Sequence, residues 1–191
     1  MSTRPTDEQI TAWALAARAG DRAAAGMFIR ATQSDVIRFL AHVTDPTSVE
    51  DLAQETFLRA MRALPGFAAR SSARTWLLAI ARRAAADHIR ELTRRPRVAA
   101  VADWVSAADN ARASASPRFE ERHALRAIID TLDPRRREAF VLTQVVGLSY
   151  AEAAQIIQCP IGTVRSRVAR AREDLIAALG ESGRAQHLRA V

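Results

Sequence analysis

The residues best suited to binding chemistry lie on one face of a short helix in the C-terminal third of the chain. Arginine and serine recur there between the apolar positions of the helix. An arginine side chain can donate two hydrogen bonds to the edge of a guanine or pair with a phosphate, and serine can contact either group. This pattern predicts a helix that reads duplex DNA, with the candidate contacts Thr163, Arg165, Ser166, Arg167, Arg170 and Arg172.

Two predicted helices joined by a tight turn would hold these side chains in place. Ser149 stands three residues before Glu152, the spacing of a capping box, and so predicts the start of the first helix. Pro160 interrupts the pattern and is tolerated only in the first turn of a new helix. The pattern favours a helix-turn-helix over an ordinary helical hairpin with a solvated basic face. The second helix then keeps one buried stripe, formed by Val164, Val168, Ala171 and Leu175.

The composition agrees with binding to a polyanion. All 28 basic residues among the 191 are arginine, and with 21 acidic residues they give a formal net charge of +7. Such a charge favours phosphate-bearing partners but does not determine a fold. Cys159 is the only cysteine, which excludes an internal disulfide and a cysteine-rich metal site. The polar N-terminus and the lack of an apolar run of about 18 residues predict a cytoplasmic chain with no signal peptide or membrane anchor.

Capping patterns also predict the first two helices of the chain. Thr6 and Gln9 have capping-box spacing, and Gly20 is placed to end the helix that they begin. Asp21 can cap the next helix. Apolar positions from 22 to 43 then predict one long helix or two abutting ones.

The third predicted helix has an unusual acidic face. It is expected to begin at Thr47 or Ser48, with Glu50 as the capping-box partner. A helix N-terminus favours negative charge, which explains part of this acid without any function. The functional interpretation is a docking face for a basic protein partner, because such a face would repel DNA. Its acids, in a stretch without arginine, are Asp45, Glu50, Asp51 and Glu55.

A fourth, arginine-rich helix is predicted to start from a cap at Ser71 or Ser72. Phe67, Arg70 and Trp76 lie close together in sequence around its start. Aromatic rings beside arginines can hold unstacked bases against a groove that follows the phosphate backbone. Packing in the core is the alternative interpretation for Trp76.

The chain is therefore predicted to be all-α, with two small helical domains joined by a flexible linker. Residues 96–117 are rich in alanine and serine, follow Pro96 and lack sustained periodicity, which is typical of a linker. The first domain is predicted at 1–95 and the second, which carries the helix-turn-helix, at 118–180. Residues 181–191 form a predicted tail.

Three blocks in this order resemble a known family of bacterial transcription proteins. The blocks are DLAQETFLRAMRALPGF at 51–67, SSARTWLLAIARRAAADHIR at 71–90 and LSYAEAAQIIQCPIGTVRSRVARAR at 148–172. Together they resemble the extracytoplasmic-function (ECF) group of sigma-70 RNA polymerase sigma factors, over about 10–179. A response-regulator or quorum-type DNA-binding domain is similar to the last block alone.

The resemblance implies a role for each block. Asp51, Gln54 and Glu55 would grip the coiled coil of the largest polymerase subunit, and the second domain would read the further-upstream promoter element as duplex. Core polymerase, including its flap, and promoter DNA are the implied partners, and an anti-sigma factor is a further candidate. The loop and helix that melt the upstream promoter element and capture a flipped base would use Phe67, Arg70, Arg74, Trp76, Arg82, Arg83, His88 and Arg90.

Two other classes of function are alternatives to a sigma factor. A helix-turn-helix regulator acting without polymerase would need an effector domain or a dimer interface, whereas the first domain offers an acidic helix beside a basic one. An enzyme would need a phosphate-binding glycine loop, a metal-ligand cluster or an activated nucleophile, and the sequence has none of these patterns. We therefore expect no catalytic activity, no cofactor and no metal. The four histidines are scattered at His42, His88, His123 and His187.

Overall fold

The computed structural model describes residues 4–94 and 126–189, and the regular elements within these ranges are all helical. The predicted all-α fold is thereby confirmed. No helix in the described ranges combines the length and the apolar character needed to cross a bilayer. The linker predicted at 96–117 and the predicted start of the second domain at 118 lie outside the described residues.

Local capping sets the first two helices. Thr6 Oγ1 accepts a hydrogen bond from the Gln9 backbone N–H at 3.2 Å, and Gln9 Oε1 accepts one from the Thr6 backbone N–H at 2.9 Å. This capping box, as predicted, starts α1 (Asp7–Arg18). Gly20 follows with a φ of +101°, a conformation that favours glycine. The next element, α2 (Arg22–Val43), is one continuous helix, the first of the two predicted arrangements.

The predicted capping box at the start of the third helix is wrong. This helix, α3, covers Val49–Ala63, and Ser48 makes no side-chain capping hydrogen bond. Asp45 accepts the Ser48 backbone N–H at 3.0 Å and the Thr47 hydroxyl at 2.6 Å, which closes a 3-10 turn before the helix. Because α3 begins at Val49, Glu50 is its second residue, one short of the third position that a capping box requires.

The fourth helix, α4 (Ala73–Arg94), completes the first half of the chain. Ser72 Oγ accepts the Thr75 backbone N–H at 3.1 Å, so the predicted serine cap is present. The helix packs against both α2 and α3. The largest side chains buried among these helices are Phe28, Phe39, Leu40, Leu77 and Leu78.

The second half begins, within the described residues, with a helical segment at 126–130. Asp133 then accepts the backbone N–H of Arg135 at 3.0 Å and caps α5 (Pro134–Phe140), as its Asp-Pro sequence predicts. A π-helical turn at Val141–Val145 prolongs this helix. Gly147, with a φ of +84°, ends it.

The helix-turn-helix predicted from the sequence is present. Ser149 Oγ accepts the Glu152 backbone N–H at 3.2 Å, and Glu152 Oε2 accepts the Ser149 backbone N–H at 2.9 Å, so the capping box starts α6 (Tyr150–Ile157). Gln158 ends α6 in the left-handed conformation, with a φ of +59°. The last helix, α7 (Ile161–Arg189), continues past residue 180, where the tail was predicted to begin. No proline interrupts that stretch.

The two halves of the chain pack against each other, a contact that the sequence does not predict. Helix α6 lies on α4, and α5 with its π turn lies on α2, so that buried apolar residues of both halves form one continuous core. We call this contact the seam. Polar bonds across it join Arg74, Thr75 and Arg82 of the first half to Val146, Glu152 and Glu138 of the second, and a further one joins Thr44 to Arg126.

Candidate nucleic-acid and protein interfaces

The first turns of α7 present a basic face to solvent. Three apolar positions attach this helix to its own half, because Val164, Val168 and Ala171 are almost completely buried. Between them, Arg165, Ser166 and Arg170 are exposed, and Thr163 is half-buried. Within residues 4–94 and 126–179, no acceptor bonds to the guanidinium of Arg165 or Arg170. Both arginines are therefore available to an external partner.

Two other arginines predicted on the same helix have neighbours within the protein. Arg167 is half-buried, and its Nη1 lies 3.9 Å from Cys159 Sγ in the turn before α7. Arg172 Nη2 donates to Gln144 Oε1 at 2.8 Å. Both therefore lie at the margin of the exposed face, in contact with the supporting turns.

The acidic residues of α3 occupy one exposed side of the first half. Asp51 and Gln54 are exposed, whereas Glu55 is half-buried and accepts from Arg59 Nε at 2.7 Å. Arg59 Nη1 also donates to Asp87 of α4 at 2.8 Å. Hydrogen bonds to Glu55 and then to Asp87 raise the pKa of Arg59 above its ordinary value. Arg59 therefore fixes Glu55 against α4, while Asp51 and Gln54 point to solvent.

An aromatic pair supports the loop between α3 and α4. Phe67 is buried, and its ring centroid lies 4.8 Å from that of Trp76, with the rings tilted by 42°. Arg18 Nη1 donates to the Phe67 carbonyl at 2.7 Å, which ties the loop to α1. Ala69 has a φ of +50°, an unusual conformation for an alanine. The next residue, Arg70, is exposed at the outer end of this loop.

Arg74, predicted to lie near promoter DNA, is instead buried in the seam. Its Nε donates to Asp35 Oδ2 at 2.6 Å, and its Nη2 donates to the Val146 carbonyl at 2.6 Å. Asp35 is itself 1% exposed and also pairs with Arg4 and Arg38. A buried carboxylate of α2 thus holds the Arg74 guanidinium against the second half.

The rest of the basic side of α4 divides between the seam and solvent. Arg82 Nε donates to Glu138 Oε1 at 2.6 Å across the seam, and Arg83 is exposed. Near the other end, Arg90 pairs with Asp87, and His88 Nε2 lies 3.4 Å from Asp45 Oδ2. The residues predicted for promoter melting are therefore not on one open surface in this arrangement.

Asp45 connects the start of α3 to α4. Burial raises the pKa of Asp45, but hydrogen bonds from Thr47, Ser48 and His88 outweigh it and bring the pKa to about 2. The carboxylate is thus charged near neutral pH. Within the described ranges, no three acidic, histidine or cysteine side chains come together as a metal site.

Asp35 and Glu138 are not among the residues predicted from the sequence. Asp35 follows Phe28 by seven residues and precedes Phe39 by four, so it lies on the apolar stripe of α2. A lone acid on such a stripe is a signal for a buried ion pair. Glu138 gives no such signal, because its partner Arg82 is 56 residues away.

Comparison with known proteins identifies both halves. Residues 28–95 match the family described as Sigma-70 region 2, and residues 122–175 match the family described as Sigma-70, region 4. The chain is 51% identical over 176 residues to the ECF RNA polymerase sigma factor SigC of Mycobacterium tuberculosis (strain CDC 1551 / Oshkosh), which covers 92% of this chain and 94% of that relative. It is 34% identical over 178 residues to the ECF RNA polymerase sigma-E factor of Escherichia coli (strain K12), covering 87% and 93% of the two chains.

A solved structure is similar in fold as well. CnrH, in its complex with the cytosolic domain of CnrY, matches with a TM-score of 0.68 and 26% identity, over 91% of this chain and 98% of CnrH. Both sigma-70 regions thus occur in one chain and in the expected order. A relative with 51% identity matches 92% of the chain. The chain belongs to the ECF group of sigma-70 RNA polymerase sigma factors.

Proposed function

We propose that this sigma factor divides promoter-directed initiation among three surfaces. The docking face, on α3, comprises Asp51, Gln54 and Glu55. The reading face, on α7, comprises Thr163, Arg165, Ser166, Arg167, Arg170 and Arg172. The melting element, in the loop before α4 and along that helix, comprises Phe67, Arg70, Arg74, Trp76, Arg82, Arg83, His88 and Arg90.

The docking face would bind the coiled coil of the largest polymerase subunit. The observation that carries this assignment is an exposed acidic patch on a chain whose net charge is +7. Asp51 and Gln54 are open to a partner, and Arg59 holds the Glu55 carboxylate in a defined position. Complementary charge speeds association and selects the partner. A basic partner surface therefore suits this face, whereas DNA does not.

The melting element would capture a base extruded from the duplex. Removing a base from the stack costs a few kcal/mol, so the protein must offer a pocket and contacts to the backbone. Phe67 packs against Trp76 and so holds the loop on α4, and Arg70 lies exposed on the same loop. Arg74 and Arg82 would take part only after the two halves separate, because both are bound in the seam.

The reading face would enter the major groove of the further-upstream element. Exposure of Arg165, Ser166 and Arg170 supports this role, since their helix is fixed by its opposite, buried side. Arg165 and Arg170 are the candidates for base recognition. Arg167 and Arg172, at the margin, are better placed for phosphates.

This division assigns the first domain to 1–95, the linker to 96–117, the second domain to 118–180 and a tail to 181–191. The second domain would also contact the polymerase flap, and the protein would act in the cytoplasm without catalysing a reaction. An anti-sigma factor is a further proposed partner, because the similar CnrH is in complex with the cytosolic domain of CnrY.

Binding to core polymerase tests the proposal directly. The purified chain should co-elute with core polymerase and support a run-off transcript from a cognate promoter. A regulator without polymerase docking would bind the promoter fragment but would neither co-elute nor start transcription. The matched control is a chain lacking residues 118–191, which should still co-elute but should lose promoter selection.

A further inference from the structure

A histidine with one buried, unpaired ring nitrogen lies where the described parts of the two halves meet. His42 is in the last turn of α2, and its Nδ1 atom is buried with no partner in the described part of the chain. Two residues later, the Thr44 carbonyl accepts from Arg126 Nη2 of the second half at 3.3 Å. An unpaired imidazole nitrogen in a buried contact is costly, and the cost rises further if the ring becomes charged.

The groups around His42 carry a positive excess. From the segment 126–130 come Arg126 and Asp130, and from α5 comes Arg137. Arg126 Nε and Arg137 Nη1 lie 3.6 and 3.5 Å from the two oxygens of Asp130, so one carboxylate is shared by two guanidinium groups. In the first half, Arg38 stands four residues before His42 on α2 and pairs with Asp35, while Asp45, after α2, and His88, on α4, bond to each other.

The charge state of His42 is therefore coupled to this contact. Burial lowers the pKa of His42 below its ordinary value of 6.5, Arg126 and Arg137 lower it further, and Asp130 only partly opposes them. Separation of the halves would return the ring to water and remove both arginines. The open arrangement then binds the proton more tightly than the closed one.

We propose that the seam is a latch that opens in acid, with protonation of His42 as its trigger. A neutral ring is tolerated between the halves, whereas an imidazolium there would face two arginines that share a single acid. Opening relieves that repulsion and also frees Arg74 and Arg82, which the seam holds. The latch controls how the two halves are arranged and is separate from their proposed roles on DNA.

Acid weakens the closed arrangement, because the pKa of His42 is lower in the closed form than in the open one. The closed arrangement has its full stability above pH 6.5, the ordinary value of the ring, and loses it as the pH falls through that value. The loss ends below the lowered pKa of the closed form. Each pKa unit between the two forms corresponds to a roughly tenfold change in the ratio of closed to open chains.

Small-angle X-ray scattering of the full chain, between about pH 5 and about pH 8 at constant ionic strength, measures the opening in the range where histidine titrates. We expect the radius of gyration to rise in acid while circular dichroism shows unchanged helix content. His42→Gln, which stays neutral, should remain compact throughout. His88→Gln is the matched control and should open as the wild type does.

The proposal is overturned if the wild type keeps one size across this range, or if His42→Gln expands as the wild type does. NMR titration of the histidines in the wild type needs no variant, so it remains decisive even if His42→Gln fails to fold. The His42 resonance must titrate together with the expansion, and a His42 that titrates at its ordinary pKa without any expansion also contradicts the latch. None of these measurements involves polymerase or DNA, so their outcome is independent of the proposed function.

Discussion

Arg82 Nε donates to Glu138 Oε1 at 2.6 Å, and this ion pair joins α4 of the first half to α5 of the second. Both side chains are mostly shielded from water, at 29% and 18% exposure. A charged hydrogen bond of this kind is stronger than a surface ion pair, and it contributes directly to the closed arrangement.

Glu138→Gln should therefore shift the chain toward open forms at neutral pH. The amide oxygen can still accept from Arg82 Nε, but the carboxylate charge is lost, and a charged hydrogen bond is worth about 1 kcal/mol more than a neutral one. Scattering would show the larger radius of gyration. The exchanged pair, Arg82→Glu with Glu138→Arg, should restore compactness, and an exchanged pair as open as the single variant would argue against a specific contact.

Charge reversal on α3 should remove polymerase binding without unfolding the chain. Asp51 and Glu55 lie four residues apart on one helical face, and Arg59 keeps Asp87 as a partner when Glu55 is lost. Asp51→Arg with Glu55→Arg should thus abolish co-elution with core polymerase. Each ion pair between this face and polymerase that is buried in the complex should contribute a loss of about 2 to 5 kcal/mol in binding free energy.

The matched control for that double variant is Glu8→Arg with Glu173→Arg. It makes the same change in net charge at two exposed acids elsewhere on the surface. We expect it to co-elute normally. Undiminished binding by the α3 variant, with a normal circular dichroism spectrum, would refute the docking face.

Arg70→Ala should slow promoter melting and leave binding to the duplex promoter largely intact. Arg70 is exposed on a loop that Phe67 and Trp76 hold in place, so its removal leaves no buried partner behind. A stacking or backbone contact to single-stranded DNA is worth about 1 to 3 kcal/mol. Permanganate footprinting follows the melted bases, and Arg22→Ala, at another exposed arginine, is the control.

A pre-melted template separates melting from other defects. It should rescue Arg70→Ala, and failure of the rescue would exclude Arg70 from the melting step. Arg74→Ala is a poorer test of the same step. Of the three arginines among the described residues that pair with Asp35, Arg74 is the buried one. Its removal would leave the buried carboxylate poorly paired, so a folding defect would accompany any effect on DNA.

Substitution of single arginines on α7 should separate base recognition from phosphate contact. Arg165→Ala and Arg170→Ala should each relax the sequence preference at one base pair of the promoter. The binding free energy for the preferred base should fall by about 1 to 3 kcal/mol. Arg167→Ala and Arg172→Ala should weaken binding to all promoter sequences alike. Each should also reduce the slope of log affinity against log salt concentration by about one. A promoter library assayed at several salt concentrations distinguishes the two. If all four variants act uniformly on every promoter, DNA shape or the first domain provides the specificity.

The buried carboxylate of α2 should matter more to stability than an exposed one. Asp35→Asn removes the charge opposite the buried Arg74, and breaking such a pair costs about 3 to 5 kcal/mol. Asp87→Asn breaks pairs that are largely exposed, worth about 1 kcal/mol or less. Chemical denaturation measures both variants, and equal effects would show that Asp35 does not act as a buried hub.

Local features of the fold could be predicted because they depend on residues a few positions apart. The capping boxes at Thr6 and Ser149 and the Asp-Pro start at Asp133 each need only a correct spacing, and all three are present. The box at Thr47 fails for an equally local reason. Asp45 accepts the Ser48 backbone N–H and closes a 3-10 turn, so α3 begins at Val49 and Glu50 falls at its second position instead of its third.

The seam could not be predicted in this way. Arg74 and Val146 are 72 residues apart. Helical periodicity shows which side of each helix is buried, but it does not indicate which helices of the two halves pack against each other. The exposed arginines of α7 could be assigned to a surface because the stripe of Val164 and Val168 fixes their direction. Arg74 precedes the buried Leu77 and Leu78 by three and four residues, so helical spacing places it on the apolar stripe of α4. Arg82 gives no such signal, and only tertiary contact distinguishes it from a surface arginine.

Glu152 belongs both to the seam and to the helix-turn-helix. Its Oε2 accepts from Ser149, whereas its Oε1 accepts the Thr75 hydroxyl of the other half at 3.1 Å. When the halves part, only the second of these bonds is lost, and the cap of α6 stays intact. We therefore expect the second half to separate with the start of α6 still capped and with its proposed reading face already formed. DNA binding by this unit then requires no refolding, and its association rate should depend on electrostatic steering and salt rather than on a slow conformational step.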